Sequence, residues 1–269
     1  REQRSVDLTD AGAVTAAVLD VFPQAIVNCA AVSVPEQCDR DPARAQALNV
    51  ALPATLARLA HHVSARLVHL SSEQVFAGTG PKPYAAGDPV APLNLYGRQK
   101  VESERLVHAA APEFAVTIRA PLLMGNSLAG GRSNHERLLA DWAAGKTPKL
   151  FTDEFRQPCT AENLAEVMLE LCERSDLTGI FHWAGTELIS RHALGVCIRD
   201  HFKLSEREAP LAAVTRAEVP EVVRTRQATL PLDLQPLAGR LKTRPQSIAE
   251  QLEELHVPPP VRPWYFGRG

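Results

Sequence analysis

The sequence predicts an α/β protein built on a Rossmann-like, doubly wound parallel sheet with a smaller C-terminal substrate lobe. Two observations predict this fold. Short apolar strands alternate with helical segments, as in βαβ units, and polar residues cluster where several of these strands end. In open parallel sheets, ligands bind beyond the carboxyl ends of the strands. The functional residues are therefore expected at those ends.

The first half of the chain shows the alternation most clearly. Asp10 is placed to cap a helix that runs to Val21, and Pro23 ends it. Residues 25–31 form an apolar strand that runs into a loop, and a long helical region follows. Residues 66–70 form the next strand, which ends in two serines. Residues 77–92 are rich in glycine and proline and are predicted to form a loop.

The remaining chain continues the pattern less regularly. The later predicted elements are a helix over 96–109, a strand over 114–118, helices over 132–144 and 161–173, a strand over 178–183 and a helix from 190 to 202. Many prolines interrupt the last third. We therefore assign residues 1–125 and 155–185 to a nucleotide-binding domain, and residues 126–154 and 186–269 to the substrate lobe.

Composition narrows the range of functions. The chain has 269 residues and a net charge of -2, which gives no electrostatic basis for binding nucleic acid or an anionic membrane. No apolar run is long enough to span a bilayer. The five cysteines form no CxxC pair, so we expect neither a metal site nor a disulfide framework. Reduced thiols and a cytoplasmic location are expected.

Tyr96 and Lys100 are four residues apart, so both lie on one face of the predicted helix. A nearby ammonium favours a phenolate and is expected to lower the pKa of Tyr96 from about 10, making it a general acid usable near neutral pH. The hydroxyl of Ser72, at the end of the preceding strand, is placed to hydrogen-bond the same substrate oxygen. The spacing alone also fits an exposed helix start with a solvated lysine. The helix start after a proline-rich loop and a strand ending in serines favours a proton-transfer site.

Several motifs resemble the extended short-chain dehydrogenases, in the branch of the dTDP-4-dehydrorhamnose reductases and the regulatory beta subunit of methionine adenosyltransferase. Residues 68–78 (VHLSSEQVFAG) are similar to that branch's Ser-Thr-Asp-Tyr-Val-Phe-Asp-Gly signature, and residues 92–100 (PLNLYGRQK) to its catalytic helix. Residues 27–31 (VNCAA) resemble its cofactor-contacting strand end. Residues 181–185 (FHWAG) resemble the regulatory beta subunit and its bacterial relatives.

The resemblance implies NADP or NAD as cofactor and a nucleotide-linked keto-sugar as substrate. Tyr96 would donate a proton to the sugar carbonyl, Lys100 would bind the nicotinamide ribose, and Ser72 would polarise the carbonyl. The further cofactor contacts it implies are Asp7, Leu8, Ala30, Ala31, Ser33, Leu70 and Pro121. The substrate contacts it implies are Glu73, Gln74 and Arg156, although Arg156 fits a surface ion pair equally well.

Two features depart from that family. The chain has no GxxGxxG turn to receive a pyrophosphate at a helix N-terminus. We expect that about thirty residues, one βαβ unit, precede Arg1. The alternative is that the unit has been lost, which would weaken dinucleotide binding. Glu73 and Gln74 stand where the branch has Asp and Tyr. This difference leaves open which nucleotide the sugar substrate carries.

Three functions follow from these expectations. The first is NAD(P)H-dependent reduction of a keto-sugar, by a protein that can form a homodimer. The second is a non-catalytic regulatory subunit that binds a catalytic partner chain of the methionine adenosyltransferase type. The third is a sugar epimerase of the same superfamily.

Overall fold

The computed structural model describes residues 4–80 and 82–268. The ends of the predicted domains at residues 1 and 269, and Pro81 of the predicted loop, lie outside the described residues. In chain order the helices and strands are α1 (Ala11–Val21), β1 (Ala25–Asn28), α2 (Pro35–Arg40), α3 (Pro42–Gln46), α4 (Leu52–His62), β2 (Arg66–Ser72), α5 (Leu95–Ala110), β3 (Ala115–Ala120), β4 (Leu123–Met124), α6 (Asn134–Ala143), β5 (Lys149–Phe151), β6 (Phe155–Arg156), β7 (Cys159–Thr160), α7 (Ala161–Cys172), β8 (Gly179–His182), β9 (Ile189–Ser190), α8 (Arg191–His201), β10 (Ala212–Val214), α9 (Pro220–Thr225), α10 (Ile248–Glu253) and α11 (Arg262–Phe266).

A four-stranded parallel sheet of order β1-β2-β3-β8 forms the centre of the protein. The register places Asn28 beside His69 and aligns Ser72 with Ala120, so the carboxyl ends of the first three strands form one edge. The predicted parallel α/β fold is confirmed. Strand β2 extends through the two serines, so both belong to the strand rather than to the loop after it.

Local capping explains where the helices begin. The Asp10 carboxylate accepts hydrogen bonds from two backbone amides of the first turn of α1, as predicted. Ser190 caps α8 in the same way through the Ala193 amide. Asn94, which was not predicted as a cap, accepts from the Gly97 amide and starts α5. Because of this cap, α5 begins one residue before Tyr96 and holds it in the first turn.

The helical region after β1 is not one continuous helix. It contains α2, α3, a π-helical turn over Ala47–Ala51, and α4. The break has a local cause, since Asp41 caps α3 and a proline occupies the first position of α3. Within the π-helical turn, the buried Asn49 side chain bonds both polar groups of the Val32 backbone and donates to Gln99 on α5 at 2.8 Å. The apolar periodicity correctly predicts helix in this region, but it does not reveal where the helices break.

Several apolar clusters stabilise the fold. Helices α4 and α7 pack against the sheet, and Trp183 after β8 is fully buried with its Nε1 donating to Asn163 at 2.8 Å. A further core, centred on Leu139, Trp142 and Ile198, joins α6, α8, α10 and α11. Within residues 4–80 and 82–268, no helix is long and apolar enough to cross a membrane.

Candidate active site

Ser72, Tyr96 and Lys100 lie together at the carboxyl end of β2. The side chains of Ser72 and Tyr96 are hydrogen-bonded to each other. The Lys100 ammonium donates to the Leu70 carbonyl at 2.9 Å and lies 5.8 Å from the centre of the Tyr96 ring. All three side chains are buried. The fold therefore brings a hydroxyl, a phenol and an ammonium into one water-poor site.

The ionisation of Tyr96 differs from the sequence expectation. Burial raises the pKa of Tyr96 far above its usual value, and the hydrogen bond with Ser72 only partly opposes this. The expected lowering of the Tyr96 pKa is wrong for this structure, because burial has the largest effect and the Lys100 ammonium bonds a carbonyl rather than the phenol. Burial also lowers the pKa of Lys100 to about 8, opposed mainly by the carboxylate of Glu104. At neutral pH the site thus holds a protonated phenol beside a charged lysine.

Gly97 allows the catalytic helix to approach the turn that follows β2. A Cβ at this position would lie 2.4 Å from the Gln74 carbonyl oxygen and 2.8 Å from the Pro92 side chain. The Gln74 side chain accepts from the Asn94 amide at 2.9 Å, and its carbonyl accepts from Gln227 at 3.1 Å. Both the side-chain oxygen and the backbone carbonyl of Gln74, a predicted substrate residue, therefore already accept hydrogen bonds from within the protein.

We expect Gly97→Ala to destabilise the protein by about 1–3 kcal/mol, because the added methyl group must displace backbone at the catalytic turn. Gly87→Ala is the matched control, since nothing lies within 4 Å of its Cβ position. Urea unfolding of the two variants measures the difference. Equal unfolding midpoints would show that the close approach of helix and turn does not constrain the fold.

A buried ion pair that the sequence did not suggest supports the same strand ends. Arg119 on β3 makes two hydrogen bonds to the Glu104 carboxylate, at 2.9 and 2.8 Å. Ser71 donates to the same carboxylate at 2.5 Å. Arg119 also donates to the Ala86 carbonyl at 2.9 Å and stacks on the Phe76 ring. The signal available in the sequence was the spacing of Glu104, one turn after Lys100 on the same helical face.

A second charged cluster begins at the residue after Ser72. Glu73 and Arg156 are both buried, and their side chains approach to 3.2 Å. Glu154 accepts from Arg226 at 2.7 Å and lies 3.4 Å from Arg156 and 3.9 Å from Arg191. Arg156 is thus part of a buried cluster rather than a surface ion pair. Since Glu73 and Arg156 have each other as partners, their contact with a substrate stays a prediction.

The ionisation of Glu73 predicts a pH-dependent stability. Burial raises the pKa of Glu73 from 4.5 to about 7, although Arg156 opposes the shift. The folded protein therefore binds this proton more tightly than the unfolded chain. The corresponding stability is fully present below pH 4.5, and it is lost as the pH rises through about 7.

We expect Glu73→Gln to remove this pH-dependent loss, which is up to about 3 kcal/mol for a shift of this size. Urea titrations of wild type and variant at pH 5 and pH 8 measure it. The wild type should lose more of its free energy of unfolding between these pH values than Glu73→Gln does. The same change in both proteins would mean that Glu73 ionises with an ordinary pKa.

The residues implied to contact a cofactor lie at the same edge or near it. Ala30 and Ala31 follow β1 and are half-buried, and the Ala30 amide donates to the Asn28 side chain at 3.2 Å. Leu70 is half-buried, Pro121 is buried at the end of β3, and Ser33 is exposed. Asp7 and Leu8 are exposed, and the Asp7 carboxylate accepts from the Thr9 amide and hydroxyl. Their cofactor contacts stay predictions. In the described part of the chain, no group of three or more His, Cys, Asp or Glu side chains is placed to hold a metal ion.

The parallel sheet, with polar residues gathered where its strands end, defines a Rossmann-like α/β protein. The chain belongs to the RmlD substrate binding domain family, which it matches over residues 1–257. The resemblance to the dTDP-4-dehydrorhamnose reductase branch is confirmed by this match.

Individual relatives and structures agree with the family. The chain is 35% identical over 205 residues to methionine adenosyltransferase 2 subunit beta of Xenopus tropicalis, covering 74% of this chain and 60% of that protein. It is 33% identical over 166 residues to dTDP-4-dehydrorhamnose reductase of Streptomyces griseus, covering 62% of this chain and 54% of that protein. The chain thus spans less than two thirds of the length of either relative.

The fold matches the crystal structure of dTDP-4-dehydrorhamnose reductase from Bacillus anthracis in complex with NADP. The TM-score is 0.83 at 22% identity, and the match covers 92% of this chain and 85% of that one. At this identity the match shows the fold alone.

Proposed function

We propose that this protein reduces a nucleotide-linked keto-sugar with NADPH or NADH, using Tyr96 as the proton donor. The observation that carries the proposal is the buried cluster of Ser72, Tyr96 and Lys100 at the ends of parallel strands. Membership of the RmlD substrate binding domain family supports the reaction type. The relative from Streptomyces griseus named dTDP-4-dehydrorhamnose reductase supports the substrate class.

Each side chain has a role that its chemistry allows. The Tyr96 hydroxyl keeps its proton at neutral pH, since burial raises its pKa, so it can donate that proton to a substrate oxygen that gains negative charge. Ser72 already bonds Tyr96 and can donate its own hydroxyl hydrogen to the same oxygen. Lys100 places a positive charge near the phenolate that remains after proton transfer, which lowers the free energy of that state.

The residues present fit the nicotinamide ribose end of a dinucleotide, which when bound supplies the hydride. The Lys100 ammonium has three donors and uses one on the Leu70 carbonyl. The other two can bond ribose hydroxyls. Ala30 and Ala31, at the end of the neighbouring strand, are small and leave room beside the sheet edge. We infer that these residues, together with Pro121, line the cofactor site.

The arginines around Glu154 support a substrate that carries phosphate groups. Arg137 and Arg191 both donate to the Asn134 side chain, at 3.1 and 3.0 Å, and Arg226 reaches the same cluster through Glu154. Burial and the neighbouring arginines lower the pKa of Arg191 to about 10 despite Glu154. Arginines outnumber carboxylates in this cluster. The planar guanidinium group can donate two parallel hydrogen bonds to phosphate oxygens. We infer that Arg226 and Arg191, rather than the enclosed Arg156, face the phosphates.

The test is NADPH oxidation with dTDP-linked 4-keto-6-deoxysugars, with the sugar product identified by NMR. We expect turnover by the wild type and a rise in KM of about tenfold or more for Arg226→Ala, since a charged hydrogen bond contributes about 1.5–3 kcal/mol. Arg244→Ala is the matched control, because that arginine lies on an exposed surface. No turnover with any nucleotide-linked keto-sugar would contradict the proposal.

A second candidate is a regulatory subunit, favoured by the relative named methionine adenosyltransferase 2 subunit beta. In this case the chain would bind a methionine adenosyltransferase catalytic chain and keep the buried site for cofactor binding alone. Size-exclusion chromatography of the two proteins mixed at micromolar concentration tests it. Co-elution that Tyr96→Phe leaves unchanged supports this candidate, and separate elution contradicts it.

The organisation of the chain stays a proposal as well. We infer that residues 1–125 and 155–185 form the cofactor domain and that residues 126–154 and 186–269 form the substrate lobe. Strand β8 supports the return of the chain to the sheet, since it pairs with β3. A cytoplasmic location, expected from the reduced cysteines, also stays a proposal.

A further inference from the structure

We infer that Glu104 is a positioning residue of the proton-transfer site: its carboxylate, fixed by Arg119 and Ser71, holds Lys100 in the charged form beside Tyr96. The effect of Glu104 on catalysis rests on the proposed reduction of a keto-sugar. The effect of Glu104 on the ionisation of Lys100 does not depend on that proposal, and it can be measured without any substrate.

The geometry places the carboxylate and the ammonium on one buried face of α5. Glu104 follows Lys100 by one helical turn of α5, so both side chains point to the same face. Their exposed fractions are 3% and 2%. Lys100 donates to the Leu70 carbonyl and Glu104 accepts from the adjacent residue, Ser71. The two charges therefore contact neighbouring positions of one strand, in a region that excludes water.

Among the described residues, the Lys100 ammonium has a single bonded partner, the neutral Leu70 carbonyl. A buried ammonium in this position needs an anion nearby to remain charged. The titratable groups that face it from the surrounding elements are Cys29 after β1, Cys38 on α2, His69 on β2, and Tyr96 and Glu104 on α5. Burial raises the pKa of both thiols and of the phenol, so these groups are neutral at neutral pH. Burial lowers the pKa of His69, which is neutral too. Glu104 is then the one negative charge among them.

Arg119 supplies the counter-charge of Glu104 and holds its carboxylate in place. Its guanidinium is held by both carboxylate oxygens, by the Ala86 carbonyl and by the face of the Phe76 ring. An arginine does not lose its proton in proteins, so Arg119 is a permanent positive partner for the carboxylate it bonds. The pair is therefore more than a link between α5 and β3, because it fixes a negative charge one helical turn from Lys100.

The experiment measures the ionisation of Lys100 directly, by NMR titration of protein labelled at the lysine side chains, with the signal assigned from Lys100→Arg. We expect Glu104→Gln to lower the pKa of Lys100 by about one unit or more, the size of effect that an adjacent opposite charge has. Glu104→Asp keeps the charge and should restore most of the wild-type pKa. Ser71→Ala removes one hydrogen bond to Glu104 but no charge, and should leave the pKa of Lys100 unchanged.

Glu104→Gln leaves Arg119 buried without a counter-charge, so the double variant Glu104→Gln/Arg119→Gln is measured in parallel. It leaves neither Glu104 nor Arg119 buried without its counter-charge and still lacks the carboxylate, so the Lys100 pKa should again fall, by a smaller amount because the Arg119 charge is also removed. An unchanged Lys100 pKa in either folded variant overturns the inference. In kinetics, the pH profile of kcat should move with the Lys100 pKa while KM for the sugar stays constant. If the wild type turns over no keto-sugar, the proposed function fails but the NMR result still decides the role of Glu104.

Discussion

Tyr96→Phe is expected to lower kcat for keto-sugar reduction by about 100- to 10,000-fold, the contribution typical of a positioned proton donor. The substitution removes only the hydroxyl. The ring packs with Cys38 and Ala45 in a small buried cluster, and phenylalanine retains that packing. The fold and the affinity for NADPH should therefore remain. Steady-state NADPH oxidation, together with NADPH titration followed by fluorescence, measures the two effects separately.

The matched control is Tyr265→Phe. That hydroxyl donates to the Phe202 carbonyl in the core of α8 and α11, away from the strand ends. It should leave kcat close to the wild-type value. A Tyr96→Phe variant that retains full kcat would mean that the proton comes from another group. A wild-type protein that binds NADPH without reducing any keto-sugar would favour the second candidate, a regulatory subunit.

The local parts of the site could be predicted because they depend on short-range spacing. The placement of Tyr96 and Lys100 follows from the helical period, and the position of Ser72 follows from an apolar strand that ends in polar residues. Parallel strands bring such ends to one edge. These rules need no knowledge of how distant segments pack, so motif and structure agree here.

The charged clusters could not be predicted for the opposite reason. Glu73 meets Arg156, and Glu104 meets Arg119, only after the strands are aligned in the sheet and the later segments pack on them. Sequence spacing carries no information about such partners. The pKa of Tyr96 was expected in the wrong direction for the same reason, since burial determines the shift and burial is a property of the whole fold.

Arg119→Ala is expected to be the most destabilising of these substitutions, by about 3–5 kcal/mol, because it leaves a carboxylate buried without its counter-charge. Glu104 would keep Ser71 as its one hydrogen-bond donor of the three contacts it makes now. The loop at Ala86 would lose the guanidinium that anchors it. Equilibrium unfolding in urea, followed by circular dichroism, measures the loss.

Two comparisons separate the buried charge from the general effect of removing an arginine. Arg240→Ala removes an exposed arginine paired with Asp176 and should leave the unfolding midpoint close to that of the wild type. The double variant Arg119→Met/Glu104→Met replaces both charges with apolar chains of similar length and should recover most of the stability lost in Arg119→Ala. If the double variant is as unstable as Arg119→Ala, the loss comes from the packing of Arg119 on Phe76 and Ala86. If it recovers, the cost lies in the unpaired charge of Glu104 rather than in lost packing.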